Sequence, residues 1–155
     1  MKTEKELDDQ AVLLNKLIAL GEQNGVVLNL HNHTYEVENN LFDLRGTMKR
    51  IPSVKLGPDL NWLLRANVDP ISFLNEFKDN IVFLHIRDQL KNGEWPESLG
   101  EGDQDFKAIA ETLRKIQFDG DIVIELAHEN SFIPTRPIRE SLKMSRDYVR
   151  TTMGY

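Results

Sequence analysis

Histidines and carboxylates in this chain gather where short apolar runs give way to polar residues. "VVLNLHNHTYE" (26–36) ends in His31, His33 and Glu36, and "IVFLHIRDQ" (81–89) ends in His85, Arg87 and Asp88. "DIVIELAH" (121–128) carries Glu125 with His128 three positions on, and "VKLGPDL" (54–60) carries Asp59. Imidazoles and carboxylates converging from separate run ends make a nitrogen and oxygen donor set. Such a set suits a hard or borderline divalent ion: Mn²⁺, Mg²⁺, Co²⁺ or Zn²⁺. The chain has no cysteine, so thiolate ligation and a disulfide framework are excluded.

Each of these residues also has a plainer role open to it. His85 could be a hydrogen-bonded histidine at a strand end, and Asp59 could cap a helix that begins near Trp62. "HNHTYE" reads equally as a solvated loop, and Arg87 with Asp88 as a surface pair. "LGEGDQDF" (99–106) supplies turn glycines and, in Asp105, an N-cap. Trp62 and Trp95 are either core or pocket-lining. Glu125 follows apolar residues on what is expected to be a central strand, where a buried carboxylate without a partner is costly and needs a cation or a proton. Four run ends that each finish in a metal-type ligand argue jointly against the plainer readings.

The elements that must position these residues follow from periodicity. Leu7, Ala11, Leu14, Leu17, Ile18 and Leu20 recur at three- and four-residue steps before Gly25, which predicts an amphipathic helix over 5–24 with that face inward. A strand is expected over 26–30, a shorter helix over 39–51, and a second strand over 54–60 despite its Gly and Pro. Asp69-Pro70 opens a helix before the clearest strand, 81–86. A helix from Phe106 with Ile109, Leu113 and Ile116 on one stripe, a strand over 121–127, and a last helix over 138–150 complete the chain. That last helix is expected to turn Ile138, Leu142 and Val149 inward, with Ser145 between them. Strand and helix alternate as in a parallel βα sheet, either doubly wound or part of a (β/α)8 barrel. No Gly-rich phosphate fingerprint follows a strand, which counts against nucleotide-binding versions of the former.

With 155 residues, 40% of them hydrophobic, one domain spanning 1–155 is expected. A net charge of −6, with 19 basic against 25 acidic residues, disfavours a nucleic acid partner. The opening "MKTEKELDDQ" is charged and no apolar run approaches a membrane span, so a cytoplasmic protein without a membrane partner is expected.

"VKLGPDLNWLLRANVDP", "IVFLHIRDQ" and "LGEGDQDFKAIAETLRKIQFDGDIVIEL" together resemble the C-terminal half of the sugar phosphate isomerase/epimerase superfamily, the xylose-isomerase-like TIM barrels. The shared features are an Asp before a helix, an Asp-Pro helix start, "HxKD" at a strand end, "GeGdxdf" and "G-x-hydrophobic-E"; "GVVLNLHNHTYE" is similar to an "HNHxxE" strand end of one branch. The resemblance covers nearly the whole chain and implies half of a (β/α)8 barrel, strands five to eight. It implies a divalent metal held by Glu36, Asp59, His85 and Glu125, with His31 as the substitute for Glu36. It also implies proton transfer on a sugar or sugar derivative through an enediolate, with Glu36 or His31 on one face and Glu125 on the other. His33, Trp62, Arg87 and Asp88 would contact substrate. Arg87 stands where the motif usually has Lys, and Trp62 where some sugar epimerases have a substrate-binding His. A dehydratase acting on a polyol ketone, or a non-catalytic half-barrel that binds metal or a partner chain, remain alternatives. An isolated half-barrel would expose two strand edges, so a homo-oligomer that completes the barrel is expected.

Overall fold

The computed structural model describes residues 1–128 and 132–155. Helix α1 (Glu4–Gln23) opens on a reciprocal cap, in which Thr3 Oγ1 accepts from Glu6 N–H and Glu6 Oε2 accepts from Thr3 N–H. There follow β1 (Asn29–Leu30), α2 (Thr34–Arg50), β2 (Lys55–Leu56), α3 (Leu60–Arg65) and α4 (Pro70–Glu76). Then come β3 (Phe83–Ile86), α5 (Phe106–Lys115), β4 (Asp121–Ile124) and α6 (Ile138–Tyr148), which runs into a π-helical turn over Val149–Met153.

Strand β1 pairs in parallel with β2, and β3 with β4 in the register His85 opposite Val123. Parallel bridges from Leu56 to Ile81 and from Asp59 to His85 join β2 to β3. Spatial order therefore follows chain order around a single arc. A doubly wound sheet reverses its order at a switch point, whereas a barrel does not. Alternation along β3 turns Leu84 and Ile86 into the core and sends His85 to the other face, with Arg87 on the same parity as His85. The core is closed by Leu56, Leu60, Leu63, Leu74, Phe106 and Leu113. Ile109 and Leu113 of the predicted α5 stripe are buried and Ile116 packs against the same cluster.

Several expected boundaries moved. Val26 and Val27 lie outside β1 and are 60% and 66% exposed, because Val26 N–H donates to Gly21 O at 2.9 Å and ties the chain to the end of α1. The ladder of β2 ends at Gly57-Pro58, where proline has no N–H to give. Gly57 leaves room there for Asn29, since a Cβ would sit 2.1 Å from Asn29 Oδ1 and push that side chain aside. The helix expected from Asn39 is interrupted: Asn39, Asn40 and Leu41 have φ of 52°, 57° and 59°. The two asparagines tolerate that left-handed backbone, and Leu41 accepts its strain while buried at 5% exposure.

Two amphipathic faces also differ from expectation. On α1, Leu7 and Ala11 are buried, but Leu17 and Leu20 are exposed. On α6, Ser145, and Val149 just beyond it, are buried as expected, but Ile138 and Leu142 are exposed and Ser141 faces inward in their place. Hydrogen bonds set that rotation: Ser145 Oγ accepts from Leu99 N–H at 3.0 Å and donates to Ser141 O at 2.7 Å, and Ser141 Oγ accepts from Arg136 Nε at 3.1 Å. Both apolar stripes lie on the helices at the two ends of the arc. No helix among the described residues is long and apolar enough to cross a membrane.

Candidate metal and substrate site

Asp59 follows β2 by three residues and caps α3, and its two oxygens divide the work. Oδ1 accepts from Asn61 N–H at 2.8 Å and Trp62 N–H at 3.4 Å, while Oδ2 accepts from Arg87 Nη2 at 2.7 Å. The residue is fully buried. Across the β3–β4 ladder, His85 Nδ1 lies 2.6 Å from Glu125 Oε2, and Arg87 Nη2 donates to Glu125 Oε1 at 2.5 Å. One donor atom each from Asp59, His85 and Glu125 falls within 4.8 Å of the others. Two carboxylates and an imidazole from three strand ends fit a small divalent cation by donor chemistry.

Arg87 is 4% exposed, so it is no surface pair with Asp88. Its guanidinium carbon lies 5.3 Å from the Trp62 ring centroid and 5.0 Å from that of Trp95, within cation–π range. Glu125 is only half-buried, with its side chain 36% exposed, because among the described residues β4 ends the arc and has a strand on one side alone. The desolvation argument made for Glu125 thus applies to Asp59 instead.

His31 stands on the β1 side with its ring 4.9 Å from that of His85. Burial, and then the neighbouring His85, hold its pKa below the ordinary histidine range. His33 stacks on Tyr35 at 5.7 Å and tilts against Trp62 at 5.5 Å. Glu36 is not drawn into the Asp59–His85–Glu125 cluster: its Oε2 accepts from His33 N–H at 2.7 Å at the start of α2. With His31, Asn32 and Asp43 it lines a separate cavity of about 180 Å³.

Asp88 points away from this face. Its carboxylate accepts four backbone N–H groups, from Gln89 at 2.8 Å, Gly100 at 2.8 Å, Gly102 at 2.9 Å and Gln104 at 3.3 Å. The "GEGD" loop is folded over that carboxylate, and a Cβ on Gly102 would lie 2.2 Å from Asp88 Oδ1. His128 lies beyond β4 and stacks on Phe132 at 3.9 Å.

Sequence reasoning missed the polar frame. Asn32 clasps the Asp59 backbone, accepting from its N–H at 3.2 Å and donating to its carbonyl at 3.4 Å. Gln89 Oε1 accepts from Asn61 Nδ2 and Arg65 Nε, and Asn61 Oδ1 accepts from Trp95 Nε1. The available signal was Asn61 and Arg65 at i and i+4 in an otherwise apolar α3. Beside this frame opens a cleft of about 1020 Å³, lined by Trp62, Arg65, Trp95, His128 and others.

Sequential parallel strands with polar residues gathered at their carboxyl ends are the layout of a (β/α)8-type barrel. Residues 2–148 match the xylose isomerase-like TIM barrel family, and the chain belongs to it. Among solved structures, a sugar phosphate isomerase/epimerase from Parabacteroides distasonis ATCC 8503 superposes with a TM-score of 0.79 at 18% identity, over 97% of this chain and 54% of that one. An L-ribulose 3-epimerase gives 0.79 at 17% identity, over 99% and 56%. A probable 3-DHS dehydratase involved in petrobactin synthesis from Bacillus anthracis gives 0.70 at 15%, over 95% and 57%. At these identities the likeness is one of fold. The chain spans just over half the length of these structures, as half a barrel does. Comparison with curated proteins found no match.

Proposed function

We propose that the chain is the metal-holding half, strands five to eight, of a divalent-metal-dependent isomerase or epimerase acting on a sugar or sugar derivative. The observation that carries this reading is the convergence of Asp59, His85 and Glu125 from three neighbouring strand ends, with donor atoms within 4.8 Å. The names of the neighbours, among them an L-ribulose 3-epimerase, support the substrate class.

Asp59, His85 and Glu125 would hold the ion, which when bound polarises the carbonyl and adjacent hydroxyl oxygens of a keto sugar. Glu125, half exposed on the open face, is placed to take the proton from the carbon between those oxygens. His31, on the opposite side of His85, is placed to return a proton to the other face. Trp62 and His33 offer aromatic surface to the sugar ring.

The test is solvent exchange. A panel of ketohexoses is incubated with the Mg²⁺- or Zn²⁺-loaded protein in D₂O and followed by proton NMR. Deuterium entering at the carbon beside the carbonyl, lost in Glu125→Gln, is the expected result. A conjugated, ultraviolet-absorbing product would assign the dehydratase chemistry named for the Bacillus anthracis neighbour. Neither exchange nor product from a protein with the ion bound would leave a non-catalytic half-barrel.

A second copy of this chain is the proposed partner. Among the described residues β1 pairs only with β2 and β4 only with β3, so a two-fold axis coincident with the barrel axis would set β4 of each copy beside β1 of the other and close eight parallel strands. Leu17 and Leu20 on α1, which precedes β1, and Ile138 and Leu142 on α6, which follows β4, are exposed apolar residues that such a partner could cover. Sedimentation at micromolar concentration is expected to show the dimer mass, and a folded monomer would refute this assembly.

A further inference from the structure

We propose that Arg87 is a built-in cation of the site, competing with a divalent ion for the carboxylates of Asp59 and Glu125. The inference rests on the metal-site reading above and adds to it what sets the ion's affinity. A single nitrogen, Nη2, bonds Asp59 Oδ2 at 2.7 Å and Glu125 Oε1 at 2.5 Å. Those two oxygens belong to two of the three residues that offer donor atoms to an ion. An ion that took both would need them at about 2.0–2.6 Å, which places it on top of the nitrogen. Guanidinium and ion cannot share that position, by volume or by charge.

Arginine also cannot give way by losing its proton, because guanidinium stays charged at any working pH. It must move instead. The surroundings make that movement feasible. The Nε of Arg87 is buried with no hydrogen-bond partner among the described residues, so the present pose leaves one donor unsatisfied. The rings of Trp62 and Trp95 lie within 5.3 Å and 5.0 Å of the guanidinium carbon and offer it a face that does not depend on the carboxylates. Without an ion, Arg87 neutralises the fully buried Asp59 and keeps the carboxylates in place. Arg87 therefore lets the site fold without metal and lowers its affinity for metal.

Trp62 and Trp95 are the chain's two tryptophans, and both flank Arg87, so intrinsic fluorescence reports its displacement. The experiment titrates Zn²⁺, which is diamagnetic, into chelator-stripped wild type, Arg87→Met, Arg87→Lys and Glu125→Gln, by calorimetry and by tryptophan emission. Arg87→Met is expected to bind about ten- to a hundredfold tighter than wild type, the range over which groups around a metal alter its affinity. It is also expected to lose the emission change that accompanies binding in the wild type, with Arg87→Lys intermediate in affinity. An Arg87→Met protein that folds only when Zn²⁺ is added would support the proposal equally, since the ion would then neutralise the carboxylates in place of Arg87. Zn²⁺ binding that depends on Glu125 but is no tighter in Arg87→Met overturns the competition and leaves the metal site standing. Binding unchanged in Glu125→Gln, or absent from every protein, overturns the metal site and the competition with it.

Discussion

Asp88→Asn separates a structural carboxylate from a substrate-binding one. Asp88 is 3% exposed, and each of its oxygens accepts two backbone N–H groups, Gln89 and Gln104 at Oδ1, Gly100 and Gly102 at Oδ2. Asparagine keeps one acceptor oxygen and turns an NH₂ toward the other pair of donors. Two charge-assisted bonds are lost, each worth about 1.5–3 kcal/mol. Gly100 is exposed and water can reach it, so the lower end applies and the expected cost is about 3 kcal/mol. With a urea dependence of about 2 kcal/mol per molar, the midpoint should fall by about 1.5 M. Unfolding is followed by circular dichroism at fixed protein concentration, because self-association would add to apparent stability. Limited proteolysis should show new cleavage within 98–104. A midpoint shift below about 0.3 M, which is about 0.6 kcal/mol at that slope, together with loss of sugar binding, would refute this assignment and return Asp88 to the substrate.

Gly102→Ala forces a methyl group to within 2.2 Å of Asp88 Oδ1 and should cost about 1–3 kcal/mol by overpacking. In an Asp88→Ala background the added methyl should cost far less, and equal costs in both backgrounds by a double-mutant cycle would deny the contact. Asp69 caps α4 through Ser72 N–H at 2.8 Å and Ser72 Oγ at 2.6 Å, and these bonds, the hydroxyl first, hold its pKa below the usual carboxylate range. A depressed folded pKa means the cap's contribution is present above the unfolded value of about 4 and is lost as pH falls through the folded one. Asp69→Ala should therefore cost about 1 kcal/mol near neutrality, with the gap to wild type closing below about pH 4; a gap independent of pH would contradict the assignment.

The strand ends were legible because β runs and polar residues follow one another in order, and the carboxyl edge of a parallel sheet collects whatever comes last. That is why Asp59, His85 and Glu125 could be named, and the structure draws them together. Glu36 lies outside that cluster for a physical reason. The spacing from His33 to Glu36 is that of a reciprocal helix cap, but histidine in the cap position hid the signature. Arg87 was open to a surface reading, although the alternation that sends His85 to the face opposite Leu84 and Ile86 carries Arg87 with it two residues on. The α1 and α6 stripes misled because periodicity reports which residues are apolar and not which neighbour will cover them. In half an arc the end helices lack that neighbour.

Asp59 shows why the plain and the functional readings of one residue need not compete. Its Oδ1 starts α3 and so places Trp62, while its Oδ2 faces the cluster. The Asn32 side chain clasps its backbone from β1's side, and the Asp59–His85 bridge holds it from β3's side. As the proposed ligand Asp59 would be geometrically stiff, because moving its carboxylate toward an ion would uncap the helix that carries the tryptophan beside Arg87. On the proposed reading, adjustment to an ion falls on the long arginine side chain and the half-exposed Glu125. The division of labour within one carboxylate thus fixes which side chains are free to move and which are not.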